Sequence, residues 1–202
     1  MKKVNIAVFV SGGGTNLAAL IKSQIEGILS HGEIKLVFSN NQNAYALKRA
    51  ENANIETAFL NKKELGQLEF EKQLIELLKE KNIELIVLAG FMVILSENFT
   101  KCFKNRIINI HPSLIPSFCG EGFYGLKVHE EALKYGVKVT GATVHFVNEI
   151  PDGGKIISQK AVEVLDGDTP EILQKRVMIE AEWIILPEAT EKVCKDILNL
   201  GE

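Results

Sequence analysis

Apolar residues in this chain fall into short unbroken runs separated by longer amphipathic stretches. Val4–Val10, Ile34–Phe38, Glu56–Leu60, Glu84–Ala89 and Arg106–Ile110 are such runs. A strand covered on both faces reads this way, because neither face can be polar. Between the runs, Asn16–Glu26, Ala44–Ala53 and Phe70–Lys81 have helical character; in the last, Phe70, Leu74, Leu77 and Leu78 keep close to a 3.6-residue period. The alternation predicts an α/β fold with a parallel sheet under helices on both faces. After residue 110 the pattern changes. A glycine-bearing loop over Ser113–Gly125 leads to a short helix near Val128–Leu133. Thr140–Val147 and Lys155–Val162 then read as an antiparallel pair about the turn Pro151-Asp152-Gly153-Gly154. That makes about seven strands in a mostly parallel, twisted sheet. Pro170–Leu200 reads as helix, interrupted at Pro187. With no repeat or linker, residues 1–202 are expected to form a single domain.

Composition narrows the function classes. The chain is 46% hydrophobic and 24% charged, an ordinary globular balance. Its formal net charge of -3 disfavours a partner with a phosphate backbone, so no nucleic acid is expected. Cys102, Cys119 and Cys194 are widely spaced and form no CxxC, which suits a reducing compartment and argues against a Cys-based zinc site. The opening MKKVNIAVFVSGGG has too short an apolar run for a secretory signal, and no stretch approaches the ~18 apolar residues of a membrane span. The expectation is a soluble cytoplasmic protein with no membrane partner.

Ser11-Gly12-Gly13-Gly14-Thr15-Asn16-Leu17 joins the first strand to the first helix. Such a loop lets backbone approach a ligand, and free N–H groups at a helix start favour an anion. The dinucleotide pattern G-x-G-x-x-G is broken by Leu17, and the second strand ends Ser39-Asn40-Asn41 without an acidic residue. The Gly-Lys-Ser/Thr of an ATP loop is absent too. A phosphate monoester is the better guest; the plain alternative is a tight turn with Thr15 or Asn16 capping the helix.

Asn109 and His111 lie two apart at the end of the fifth strand and therefore share a face. Pro112 helps end the strand there. Ligands of open parallel sheets bind at the carboxyl ends of strands, the edge on which the glycine loop also opens. An amide and a protonated imidazole form a donor pair suited to an oxyanion, and a carboxylate beside the imidazole would orient it and raise its pKa. Asp152 is the leading candidate for that carboxylate. His129 is expected on a helix surface, and His145 in a structural role first and a pocket-lining role second.

These stretches, SGGGTNL (11–17), VFSN (37–40), LAGFM (88–92), NIHPSLIPSF (109–118), GATVHFV (141–147) and DGG (152–154), with Glu182 five residues before Pro187, resemble the folate-dependent phosphoribosylglycinamide formyltransferases over nearly the whole chain. The resemblance implies a Rossmann-type formyltransferase fold. It also implies transfer of a formyl group from 10-formyltetrahydrofolate to the amine of glycinamide ribonucleotide in purine synthesis, without a metal, by a monomer or homodimer. It puts the catalytic roles on Asn109, His111 and Asp152. Ribonucleotide binding falls on Gly14, Thr15, Asn16, Leu17, Gly90 and Glu182. Folate binding falls on Met92, Val93, Ile94, Leu95, Asn109, Asn148, Glu149, Ile150, Pro151 and Asp152. Residues 1–90 would form the ribonucleotide half and 91–202 the catalytic and folate half. Departures from the family pattern are Val93 in place of Arg, Gln67 near a basic folate-tail contact that Lys62 or Lys63 would replace, Pro151 before the aspartate and Trp183 after Glu182. Ser117–Gly125 looks like a lid hinged on Gly120, Gly122 and Gly125. The nearest rivals act on aminoacyl-tRNA or an amino sugar nucleotide or release formate by hydrolysis; length and charge disfavour all three, the tRNA enzymes being expected to carry a further C-terminal domain and the hydrolase a further N-terminal one, and a non-catalytic binding module or an NAD-dependent oxidoreductase fits the motifs less well.

Overall fold

The computed structural model describes residues 2–199. Its strands are β1 (Val4–Val10), β2 (Gly32–Ser39), β3 (Glu56–Phe59), β4 (Leu85–Leu88), β5 (Ile107–His111), β6 (Val139–Phe146) and β7 (Ile156–Glu163). They form one sheet in the order β3-β2-β1-β4-β5-β6-β7. Pairing is parallel from β3 across to β5 and antiparallel from β5 to β7. The helices are α1 (Thr15–Ile25), α2 (Tyr45–Asn52), α3 (Lys62–Glu80), α4 (Glu97–Cys102), α5 (Leu126–Tyr135), α6 (Pro170–Val177) and α7 (Trp183–Asn199).

The period-two geometry of the central strands sorts the core into two layers. Val4, Ile6, Val8 and Val10 of β1 pack with Leu17 and Leu20 of α1 and with Leu186, Ala189 and Val193 of α7. Ala7 and Phe9 face the other way, onto Phe70, Leu74 and Leu78 of α3 and Phe99 of α4. β1 is the switch point: the chain runs outward through β2 and β3, then returns to β4 on the other side. The crevice at such a reversal is where open α/β sheets bind ligands.

Three elements differ from the sequence expectation. α4 was not predicted: its six residues carry one large core side chain, Phe99, too few for a readable period, and Ser96 caps it by accepting from the Phe99 N–H. α3 begins at Lys62, not Phe70, because Gly66 (φ 74°, ψ 168°) breaks it and hides its first turn from the periodicity. The C-terminal helical region is interrupted not at Pro187 but upstream, where Met178–Glu182 form a π turn. Pro187 sits inside α7. A proline ring normally clashes with the carbonyl four residues back, here Trp183. Trp183 has ψ -8°, far from the helical value of about -42°, so its carbonyl tilts out of the way. Leu200, the expected end of this helix, lies outside the described residues.

α7 is tied to the loop between α1 and β2 by Glu191, which is 8% exposed. Its carboxylate accepts from the Ser30 N–H (3.0 Å), the Ser30 hydroxyl (3.0 Å) and the His31 N–H (3.0 Å), and meets His31 Nδ1 at 2.6 Å. Burial alone would raise its pKa, but the His31 and Ser30 donors and Lys195 outweigh burial and hold it below the ordinary carboxylate range. A depressed folded-state pKa stabilises above the unfolded carboxylate pKa and stops stabilising as pH falls through the folded value. Glu191→Ala is therefore expected to cost about 2–3 kcal/mol at neutral pH in urea denaturation, with the gap to wild type closing as pH falls below about 4.

Candidate active site

The glycine loop closes the carboxyl end of β1 and opens α1. Its N-cap, Gly14, has φ 72° and ψ 38°, and a Cβ there would stand 2.6 Å from the Ala46 Cβ, so only glycine fits. The loop carbonyls are tied to α2. The Gly12 carbonyl accepts from the Ala46 N–H (3.0 Å), and the Gly13 carbonyl accepts from Arg49 Nε (2.8 Å). In a trans peptide the N–H points opposite to the C=O, so the Gly13 and Gly14 N–H groups turn away from α2. No side chain caps α1. The plain alternative of a helix capped by Thr15 or Asn16 therefore does not hold, and the free N–H groups suit an anion. Asn16 instead donates through Nδ2 to Glu182 Oε2 at 2.9 Å. The π turn ends at Glu182, which is 6% exposed. Burial pushes its carboxyl pKa up to about 7, against the Asn16 hydrogen bond that lowers it.

β5 brings Asn109 and His111 to the same edge, and the antiparallel register sets His145 opposite Asn109 and Thr143 opposite His111. Asp152 enters from the turn before β7, in the left-handed region at φ 55°, which aspartate tolerates. Gly154 fixes that turn, since a Cβ there would come within 1.7 Å of the Phe146 carbonyl oxygen. The Asp152 carboxylate lies between two imidazoles, with Oδ2 3.5 Å from His111 Nδ1 and Oδ1 3.5 Å from His145 Nε2. It also accepts from the Gly120 N–H at 2.8 Å. Burial works to raise its pKa, yet His145, His111 and the Gly120 N–H together hold it below the ordinary carboxylate range. For His111 the balance runs the other way. Burial lowers its pKa more than Asp152 and the Phe118 carbonyl raise it. The carboxylate does raise the His111 pKa, as expected of it, but desolvation in the buried site is the larger effect.

These groups face a cleft of about 770 Å³ that runs along the carboxyl edge of the sheet. Asn16, Gly90, Met92, Val93, Ile94, Asn109, His111, Pro151, Asp152 and Glu182 all line it. Gly14 and Thr15 stand at the loop, with Thr15 lining a neighbouring apolar groove between α1 and α7. The side chains of Leu17 and Leu95 point into the core, so those positions offer the cleft only backbone. Asn148 closes a local turn by accepting from the Ile150 N–H (3.1 Å), while Glu149 and Ile150 are exposed on the turn before Asp152.

The segment 117–125, read as a lid, is anchored on the catalytic candidates. The Phe118 carbonyl lies 2.9 Å from His111 Nε2, and Gly120 binds Asp152. Gly120, Gly122 and Gly125 all take positive φ. Cys119 donates to the Pro116 carbonyl (3.3 Å), and burial with the nearby Asp152 charge pushes its pKa up, which keeps the thiol protonated.

Some participants were not anticipated. His129 is buried, not a surface residue, and lines the cleft with neither ring nitrogen partnered. Its pKa is lowered to about 4 by burial and by His111. Ser11 links the two loops of the switch point: its hydroxyl donates to Asn40 Oδ1 (2.6 Å) and accepts from the Met92 N–H (2.9 Å). Glu71, buried on α3, accepts from the Ser96 N–H at 2.7 Å and holds the end of the 92–95 segment. Gln67 donates to the same carboxylate and to the Ile94 carbonyl. The glycine run that follows Ser11 was a visible signal for its neighbourhood; nothing local marks Glu71 or His129. Among the described residues no group of three or more His, Cys, Asp or Glu could hold a metal ion, and no helix is long and apolar enough to cross a membrane.

The profile of a family described as formyl transferase matches residues 4–190. A chicken protein, "Trifunctional purine biosynthetic protein adenosine-3", is 46% identical over 99% of this chain, which spans 19% of that protein's length. An Arabidopsis thaliana protein, "Phosphoribosylglycinamide formyltransferase, chloroplastic", is 34% identical over all of this chain and 69% of its own. The crystal structure of glycinamide ribonucleotide transformylase 1 from Symbiobacterium toebii superimposes with a TM-score of 0.89 at 39% identity, covering 96% of this chain and 89% of that one.

The raised pKa of Glu182 sets a pH signature. Its folded-state value of about 7 exceeds the unfolded value of about 4.3, so the neutral acid stabilises the fold at low pH and that contribution is lost as pH rises through 7. Glu182→Gln is expected to match wild type below about pH 4, to gain on it as pH rises, and to be more stable by about 3 kcal/mol at pH 8, read from urea midpoints across the range.

Proposed function

The chain belongs to the formyl transferase family, and from that premise we propose that it transfers the formyl group of 10-formyltetrahydrofolate to the amine of glycinamide ribonucleotide, giving formylglycinamide ribonucleotide and tetrahydrofolate in purine synthesis. The observation that carries this reading is the meeting of Asn109, His111 and Asp152 in one cleft with an uncapped glycine loop at its end.

The ribonucleotide phosphate docks on the N–H groups of Gly14, Thr15, Asn16 and Leu17, its ribose reaches Glu182, and Gly90 borders its path. The folate lies along Met92–Leu95 and Asn148–Asp152. The amine nitrogen attacks the formyl carbon, forming one C–N bond and placing negative charge on the formyl oxygen. Asn109 and protonated His111 share that charge, and Asp152 stabilises the imidazolium. The C–N bond to the folate then breaks, and a proton from the former amine passes to the departing nitrogen through a water near Asp152. The proposed reaction uses no metal. For the formyl oxygen to take His111 Nε2, the Phe118 carbonyl has to leave it, so the 113–125 segment moves in each turnover. The entering ligand charge and the loop movement also change the burial that depresses the His111 pKa.

The division into a ribonucleotide half (1–90) and a catalytic and folate half (91–202) is approximate, since Glu182 reaches back to Asn16. One chain supplies every group named, so the working unit is a monomer or homodimer. The sparse free cysteines favour the cytoplasm, although the plant relative is named chloroplastic.

Incubation with both substrates should deformylate the folate, followed by absorbance. Omitting the ribonucleotide should abolish the change; persistence without it would make the protein a hydrolase, the activity named for a Pseudomonas syringae structure, "formyltetrahydrofolate deformylase", that is 27% identical. Asn109→Ala and Asp152→Asn are each expected to lower turnover on the order of 10²–10³ while circular dichroism stays native. Wild-type rates in folded Asp152→Asn protein would remove the carboxylate from the chemistry.

A further inference from the structure

We propose that His145 is a positioning residue for this transfer: its ring decides which end of the Asn109 amide faces the cleft. The proposal deepens the transferase reading and rests on it for the meaning of turnover, but its hydrogen bond can be tested separately.

The antiparallel pairing puts the two residues directly opposite each other on one face of the sheet, and His145 is 1% exposed. A register shift at Val144/His145 in the pairing with β7 marks the position as irregular, as is common beside functional sites. His145 Nδ1 lies 2.8 Å from the Phe146 carbonyl oxygen. A carbonyl can only accept, so Nδ1 carries a proton in every state of the ring, and Nε2 is the one atom free to change. Nε2 has two neighbours: the Asn109 amide at 3.2 Å and Asp152 Oδ1 at 3.5 Å.

Two arrangements satisfy this geometry. With Nε2 bare, the Asn109 NH2 donates to it, as the structure has it, and the amide oxygen faces the cleft. That end can accept from an amine but cannot stabilise an oxyanion. This arrangement also aims the Nε2 lone pair at an anionic oxygen, which is electrostatically unfavourable. With a proton on Nε2, taken from solvent, the repulsion becomes attraction. A half-turn of the amide lets its oxygen accept from Nε2–H and delivers the NH2 to the cleft, where a developing oxyanion needs it. Asn109 makes no other side-chain hydrogen bond among the described residues, so nothing opposes the half-turn. Asp152, the anion shared by His111 and His145, is the group that favours the second arrangement.

The first test needs no turnover. In the full chain, Asn109→Leu should move the 15N resonance of His145 Nε2 while leaving that of Nδ1 in place. An Nε2 resonance indifferent to Asn109→Leu overturns the proposal even if the protein proves inactive toward the proposed substrates. The second test is a double-mutant cycle with both substrates. His145→Phe should lower kcat about 10- to 100-fold with KM for the ribonucleotide nearly unchanged, and should have no more than about a 3-fold effect in an Asn109→Ala background. His145→Gln, whose amide can still donate to Asn109, should recover most of the lost kcat. Equal penalties for His145→Phe in both backgrounds would mean a merely structural histidine and sink the idea. Should His145→Phe fail to fold, the ring shifts decide.

Discussion

β5 is paired in parallel with β4 on one side and antiparallel with β6 on the other, and the site depends on that seam. The parallel side places Asn109 and His111 at the carboxyl edge, beside Gly90 and the glycine loop. The antiparallel side delivers His145 and Thr143 onto the same face from the opposite chain direction. The turn after β6 then returns Asp152 to within 3.5 Å of both imidazoles. A wholly parallel sheet would require a crossover helix between neighbouring strands, and the aspartate turn could not fold straight back on the edge.

Burial sets the terms of the chemistry. It pulls His111 and His129 toward neutrality and pushes Glu182 the same way, up to about 7. In the cleft it is Asp152 that ends with its charge favoured, because His145, His111 and a backbone N–H all address it. A single well-supported anion inside a desolvated cleft is a strong local field, and the neighbouring imidazoles respond to it at close range. The segment 113–125 is part of this arrangement, since its carbonyl and N–H groups occupy His111 and Asp152 until ligands take their place.

Much of the site could be read from local pattern. A strand's period of two makes Asn109 and His111 neighbours wherever the strand lies, and Pro112 marks where it ends. The glycine loop was legible because Gly14 answers a local requirement for positive φ and close contact. Other features had no such signature. His129 looked like surface because a polar ring carries no burial signal of its own; the fold turns it inward with Val128 and Ala132, against the cleft. Glu71 and Ser11 act through partners far along the chain, and the π turn at Met178–Glu182 is invisible to a 3.6-residue count.

The sequence by itself determined the two-layered α/β plan, the anion-seeking loop and the paired donors on β5, because strand alternation, helical periodicity and glycine stereochemistry are properties of neighbouring residues. Only the tertiary structure decided that Asp152 stands between two histidines, that Glu182 is buried against Asn16, and that His145 meets the Asn109 amide. Those contacts join residues up to 166 positions apart. Their consequences for charge come from the water the fold excludes, which no local stretch of chain encodes.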